Sequence, residues 1–171
     1  ETAAKLRGTR IHLLLQHLPG FPKSAWPAVA AQVLDGHAPR PSKTERADAL
    51  KEAVRVLETP ELAWVFDGSS LAEVALSATI DFDTPTRFHG TIDRLIVAPD
   101  RVCVVDFKTN MVVPTRPEDV PLGILRQMAA YRAMVQTIYP DRRVELFILW
   151  TGVPGIMSIP HDIVTPLVDT V

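Results

Sequence analysis

The sequence predicts an α/β protein: a central mixed β-sheet flanked by helices, with a helical segment at the N-terminal end. Three observations carry this. Apolar residues before position 60 recur at helical spacing, while from about Leu71 they alternate as in strands. Residues 122–138 then return to helical period between two strand-like segments. A helix between two strands calls for a crossover, and so for a mixed sheet with helices on its faces.

Each element has its own signal. In residues 5–18, KLRGTRIHLLLQHL, Ile11, Leu14, Leu15 and Leu18 fall on one helical stripe. Thr9 is the expected N-cap and Pro19-Gly20 the stop. His12 and Gln16, four apart, share a face. Residues 25–35 form a second helix, and GHAPRPSK a loop. Thr44 is expected to cap a third helix, ERADALKEAVRVLE, which Thr59-Pro60 ends; Pro60 opens a helical turn through Trp64. EVALSATI is a strand, and FHGTIDRLIVAPDRVCVVDFKTN (88–110) supplies two more. Three prolines make 112–121 a loop. VELFILW (144–150) is nearly all apolar, as in a strand covered on both faces, and GIMSIP is a weaker closing strand.

The bulk numbers narrow the function. The 171 residues suit one domain, helical over about 1–68 and sheet-containing over about 69–171. No apolar run approaches the length of a membrane span, and no signal-peptide pattern opens the chain. One cysteine, Cys103, excludes a four-cysteine metal site and an internal disulfide, and fits a cytosolic setting. A net charge of −2 is low for a domain that holds DNA unaided, since phosphate neutralisation supplies most non-specific affinity. The first residue is Glu rather than Met, so a piece of a longer polypeptide is expected.

Residues 88–110 raise the chemical question, because Asp93, Asp106 and Lys108 interrupt apolar, β-branched runs. With Pro99-Asp100 as the tip of a two-residue loop, Ala98 pairs with Arg101, Leu95 with Val104, Asp93 with Asp106 and Thr91 with Lys108. Paired residues share a face, so the three charges cluster at the end away from the turn. Opposed like charges destabilise a sheet; a divalent cation between them reverses the sign. Two acids and a lysine then make a place for a metal, a phosphate and an activated water. The alternative is an ion pair of Asp93 with Arg94 or Arg101 at a sheet edge. A one-residue slip of register would send the acids to opposite faces.

The order of motifs extends this. GTID at 90–93, twelve residues, DFKT at 106–109, then QMAAY at 127–131 resembles the nuclease domain of the RecB family, within the PD-(D/E)xK restriction-endonuclease-like superfamily. Within that family it resembles the C-terminal nuclease domain of AddA-type helicase–nuclease subunits, which work with AddB at DNA breaks. GTRIHLLLQHLP resembles the family's leading His helix, and IYP with LFILWT its ending. The resemblance implies a restriction-endonuclease-like fold and a Mg2+ site, which Mn2+ or Ca2+ can also fill. Asp93 and Asp106 would be metal carboxylates, His12 a ligand or the residue orienting one, and the Phe107 carbonyl a further ligand. Lys108 would lie beside the attacking water and scissile phosphate, with Gln127 and Tyr131 as a supporting pair. Glu73 resembles an acid of related nucleases. Implied partners are single-stranded DNA delivered by a helicase, helicase domains of the same polypeptide and an AddB-like subunit, in a bacterial cytoplasm. ATP would serve only that helicase part, whose motifs are not in this sequence.

Two functional readings follow. One is a Mg2+-dependent nuclease acting on strands fed to it during break repair. The other is a nuclease-like structural or DNA-binding module of the same complex. Without the resemblance, His12, Gln127 and Tyr131 would be ordinary helix residues, and Trp26, Trp64 and Trp150 are expected in the core rather than as base-stacking platforms.

Overall fold

The computed structural model describes residues 2–80 and 85–170. Three helices come first: α1 (Ala3–His17), α2 (Trp26–Asp35) and α3 (Lys43–Leu57). A 3-10 turn, Pro60–Phe66, leads into strands β1 (Leu71–Ile80), β2 (Thr86–Val97) and β3 (Arg101–Lys108). Helix α4 (Leu122–Ile138) crosses to β4 (Arg143–Trp150), and β5 (Gly155–Ile159) and a one-turn helix α5 (His161–Val164) follow. The five strands lie in sequence order. β3 and β4 are parallel, and the other neighbours are antiparallel. The mixed α/β sheet read from the crossover is therefore present.

Each face of the sheet has its own core. On one, Ile92, Val104, Leu146 and Ile148 pack with Met128, Tyr131 and Val135 of α4. On the other, Val105, Phe107 and Leu149 pack with Ile11, Leu14 and Leu15 of α1 and Ala53 of α3. β4 contributes to both, which is why its sequence is almost continuously apolar. Burying one such side chain contributes about 1.5–3 kcal/mol. Asp93, Asp106 and Lys108 thus stand on strands clamped between two helical layers.

β2 turns over partway along. Ile92 and Leu95, three residues apart, both belong to the α4-side core. Between them Arg94 reaches the other layer, donating from Nη2 to the Leu15 carbonyl (2.9 Å). Strict alternation would put Ile92 and Leu95 on opposite faces, so the strand reverses at Asp93. Across the ladder, pairing skips from Ala72↔Arg94 to Val74↔Ile92. The residue omitted on β1 is Glu73, whose φ is 51°. A non-glycine residue in the left-handed region carries a cost of order 1–3 kcal/mol and persists only where the surroundings enforce it.

Two expected caps are displaced. Helix α1 begins six residues before Thr9, with Thr2 accepting the Lys5 N–H. Ala3, Ala4, Lys5 and Leu6 are good helix formers, and Thr9 lies inside the helix with its hydroxyl on the Lys5 carbonyl. On α3 the cap is Ser42, not Thr44. Ser42 and Glu45 form a reciprocal capping box, so the pair satisfies two end donors where Thr44 alone would satisfy one. Trp150 is buried as expected, whereas Trp64 is 38% exposed and meets Phe147 in a T-shaped contact.

Candidate active site

The hairpin register is the one counted from the sequence. Ala98 N donates to the Arg101 carbonyl (2.9 Å). Leu95 faces Val104, and Arg94 faces Val105. The ladder stops there, one step short of the two acids. Beyond it the Phe107 N–H donates to Asp93 Oδ2 (2.6 Å) instead of to a backbone carbonyl. The two strands therefore open at their far end, and the carboxylate of Asp93 fills the gap. This also answers the edge-pair alternative: Asp93 has neither Arg94 nor Arg101 as a partner, but Phe107 N–H and His12.

Asp106 is 2% exposed, and its Oδ2 lies 2.5 Å from Lys108 Nζ. The contact is an ion pair without hydrogen-bond alignment, so Oδ2 has no hydrogen-bond donor. Burial pushes the Asp106 carboxyl up to about 6, against the pull of Lys108. Lys108 Nζ donates to Gln127 Oε1 (2.9 Å), Gln127 Nε2 donates to Tyr131 Oη (2.8 Å), and Tyr131 Oη donates to the Thr91 carbonyl (2.6 Å). A continuous polar chain thus runs from β3 through one face of α4 back to β2. It works because Gln127 and Tyr131 are four apart on a helix. It also needs Gly90: a Cβ there would come within 2.8 Å of Tyr131 Cε1. Burial raises the Tyr131 phenol well above its usual value, so it stays a neutral donor.

His12 comes from α1 on the other layer. Its Nδ1 is 3.1 Å from Asp93 Oδ1, and its ring meets Phe107 edge-on. Burial lowers the imidazole pKa, but the Asp93 contact and the Asp93 and Asp106 charges outweigh it, and the net shift is upward. His12, Asp93 and Glu73 line an open cleft of about 450 Å³ together with Thr9, Gln16 and Thr109. Burial, then the Asp93 charge, raises the Glu73 carboxyl. The structure brings all eight singled-out residues to one end of the sheet: His12, Glu73, Asp93, Asp106, Phe107, Lys108, Gln127 and Tyr131.

The expected cation finds a partial fit. Among the described residues no three His, Cys, Asp or Glu side chains are grouped as a ready ligand set. His12 uses Nδ1 on Asp93, so in this arrangement it orients a carboxylate. The buried Asp106 oxygen that accepts no hydrogen bond is what a hard cation would satisfy, and an all-oxygen donor set suits Mg2+. Asp106, with Asp93 and the Phe107 carbonyl, is the set that would hold it.

Sequence reading missed the residues that fasten these elements. Thr91 enters through its backbone, and Arg94 through a buried guanidinium stacked on Phe66 at 5.2 Å. Arg7, Glu52 and Thr151 close around the exit of β3. Partners so distant along the chain leave no local pattern.

The full-length comparison among solved proteins is loose. A crystal structure of SSO0001 is 13% identical, with 95% of this chain and 80% of that chain covered and a TM-score of 0.41. No curated protein matches the chain. The PD-(D/E)XK nuclease superfamily, in contrast, matches residues 1–155, which contain the His12 helix, the Asp93 and Asp106 strands, Lys108 and the Gln127–Tyr131 helix. By that match, and with the mixed sheet and its carboxylate–lysine end in place, the chain belongs to the PD-(D/E)XK nuclease superfamily.

Proposed function

We propose that this chain is a Mg2+-dependent deoxyribonuclease domain, acting as the exonuclease of an AddAB- or RecBCD-like helicase–nuclease in double-strand break repair. The observation that carries the reading is the buried Asp106–Lys108–Gln127 constellation, in which an acid and an ammonium are ion-paired inside the fold and the acid's Oδ2 accepts no aligned hydrogen bond. Burying a charged pair costs desolvation that its own attraction often fails to offset, and substrate chemistry gives a reason to keep it.

Within this reading each group has a task. Lys108, restrained by Asp106 and Gln127, presents positive charge to a phosphate oxygen as the extra negative charge develops. Asp93 and Asp106 would hold the cation, and His12 fixes the orientation of Asp93. The cation, when bound, supplies charge neutralisation and a water of lowered pKa. Glu73 lines the same cleft as His12 and Asp93 and would be the carboxyl available there for proton exchange. The small net charge fits a domain whose DNA is gripped elsewhere, by helicase domains of the same polypeptide and an AddB-like partner.

The test uses the full chain with its partner subunit. Asp106→Asn and Lys108→Ala should each lower Mg2+-dependent cleavage of linear DNA by at least about 100-fold, with unwinding and circular dichroism unchanged. Cleavage within twofold of the parent in both variants removes the nuclease reading and leaves a non-cutting module of the complex.

A further inference from the structure

We propose that Arg7, Glu52 and Thr151 are positioning residues that set the location of the Lys108 ammonium from behind, by fixing the peptide on which it sits. The proposal rests on the nuclease reading for its consequence in turnover, but its geometry stands apart from it.

β3 ends at Lys108, and the chain leaves through Thr109 into a long loop. Both carbonyls at this exit are held. The Lys108 carbonyl accepts the Thr151 N–H at 3.0 Å, with Thr151 Oγ1 also 3.4 Å away. The Thr109 carbonyl accepts Arg7 Nη1 at 2.8 Å. The two holders are joined by Glu52. Its Oε1 accepts Thr151 Oγ1 at 2.6 Å, and its Oε2 is ion-paired with Arg7 Nη2. The result is a ring: Lys108 carbonyl, Thr151, Glu52, Arg7, Thr109 carbonyl.

The three side chains that close the ring come from separate parts of the fold. Arg7 is on α1, Glu52 on α3, and Thr151 directly after β4. Thr151 is fully buried, and the Glu52 side chain is only 12% exposed. α1 also carries His12, so the same ring ties the helix that orients Asp93 to the strand that bears Lys108. The approach is close: a Cβ on Gly8 would lie 3.0 Å from Thr109 Oγ1. A second α3 arginine, Arg55, donates to the Gly152 carbonyl (3.0 Å) and holds the neighbouring turn.

None of these side chains reaches the cleft chemistry through its own polar atoms, so their effect must pass through Lys108. Misplacement by about 1 Å of a group that stabilises a transition state is enough for large rate losses. Loss of a network that merely added stability would lower the melting point without moving the lysine.

Thr151→Val keeps the backbone N–H and the shape, and removes the hydroxyl donor. Thr151→Ser restores it. Glu52→Gln keeps an acceptor for Thr151 and turns an amide donor toward Arg7. In the full chain, Thr151→Val and Glu52→Gln should lower kcat about tenfold or more, leave KM for DNA within twofold, and shift the 13C signal of the Lys108 ε-methylene. Thr151→Ser should behave as the parent in all three. An unmoved Lys108 signal in both variants overturns the proposal, and so does a moved signal with unchanged kcat. A parent chain that cuts no DNA would defeat the nuclease reading, and the Lys108 signal would still decide the positioning claim.

Discussion

Asp106 is the residue at which folding and chemistry oppose each other. It would ionise near 3.8 in an unfolded chain, but burial holds it up to about 6 in the fold. Between those values the folded protein keeps a proton that the unfolded chain has lost, so stability falls as pH rises. His12 acts in the same direction. Its folded pKa is raised above 6.5, so its contribution is complete below 6.5 and is lost as pH rises through the folded value. The metal-free chain should therefore melt several degrees lower at about pH 7.5 than at about pH 5. Asp106→Asn should raise the melting point at the higher pH and flatten the profile; calorimetric scans at the two pH values decide this. The charged trio was legible because Asp93, Asp106 and Lys108 violated the apolar pattern around them. That Asp93 also serves as acceptor for the Phe107 N–H was not, since a pattern of residues does not show where a ladder ends.

At the scale of elements, the hairpin was read in its true register because its two apolar halves fix it on both sides of one short turn. Helix ends were read less well. At α3 the signal was in the sequence as Ser42 and Glu45, three apart, ahead of Thr44. Ser42→Ala should cost about 1 kcal/mol in urea denaturation, while Thr44→Ala should be nearly silent. The reversal of β2 at Asp93 and the positive φ of Glu73 had no signal, because Glu is an ordinary strand-face residue and nothing local demands the turn. Gly90 likewise looked like any strand glycine; its reason is the ring of Tyr131, far along the chain on α4. Gly90→Ala should push that ring off, break the bond to the Thr91 carbonyl, and cost about 1–3 kcal/mol along with most of the cleavage activity. A melting point and cleavage rate equal to the parent's would show that α4 yields instead.

For the whole molecule, the two-layered mixed sheet was legible from one helix lying between two strands, and the nuclease-like end from the order of its motifs. The ring behind Lys108 was not, because its contacts span 45, 99 and 102 residues. Mg2+ should stabilise the parent chain by about 2.7 kcal/mol at 100 times its Kd, and Asp106→Asn by far less. Titration by scanning calorimetry reads both, and equal stabilisation would place the ion elsewhere. The unequal bonding of the two acids also bears on descent. In the fold Asp106 pairs only with Lys108, itself part of the cleft chemistry, whereas Asp93 closes the end of the hairpin through the Phe107 amide. In a lineage released from selection for cutting, position 106 should drift first, toward Asn, Ser or an apolar residue. Position 93 should keep an oxygen acceptor long afterwards, so a surviving aspartate there is weak evidence that such a descendant still cleaves anything.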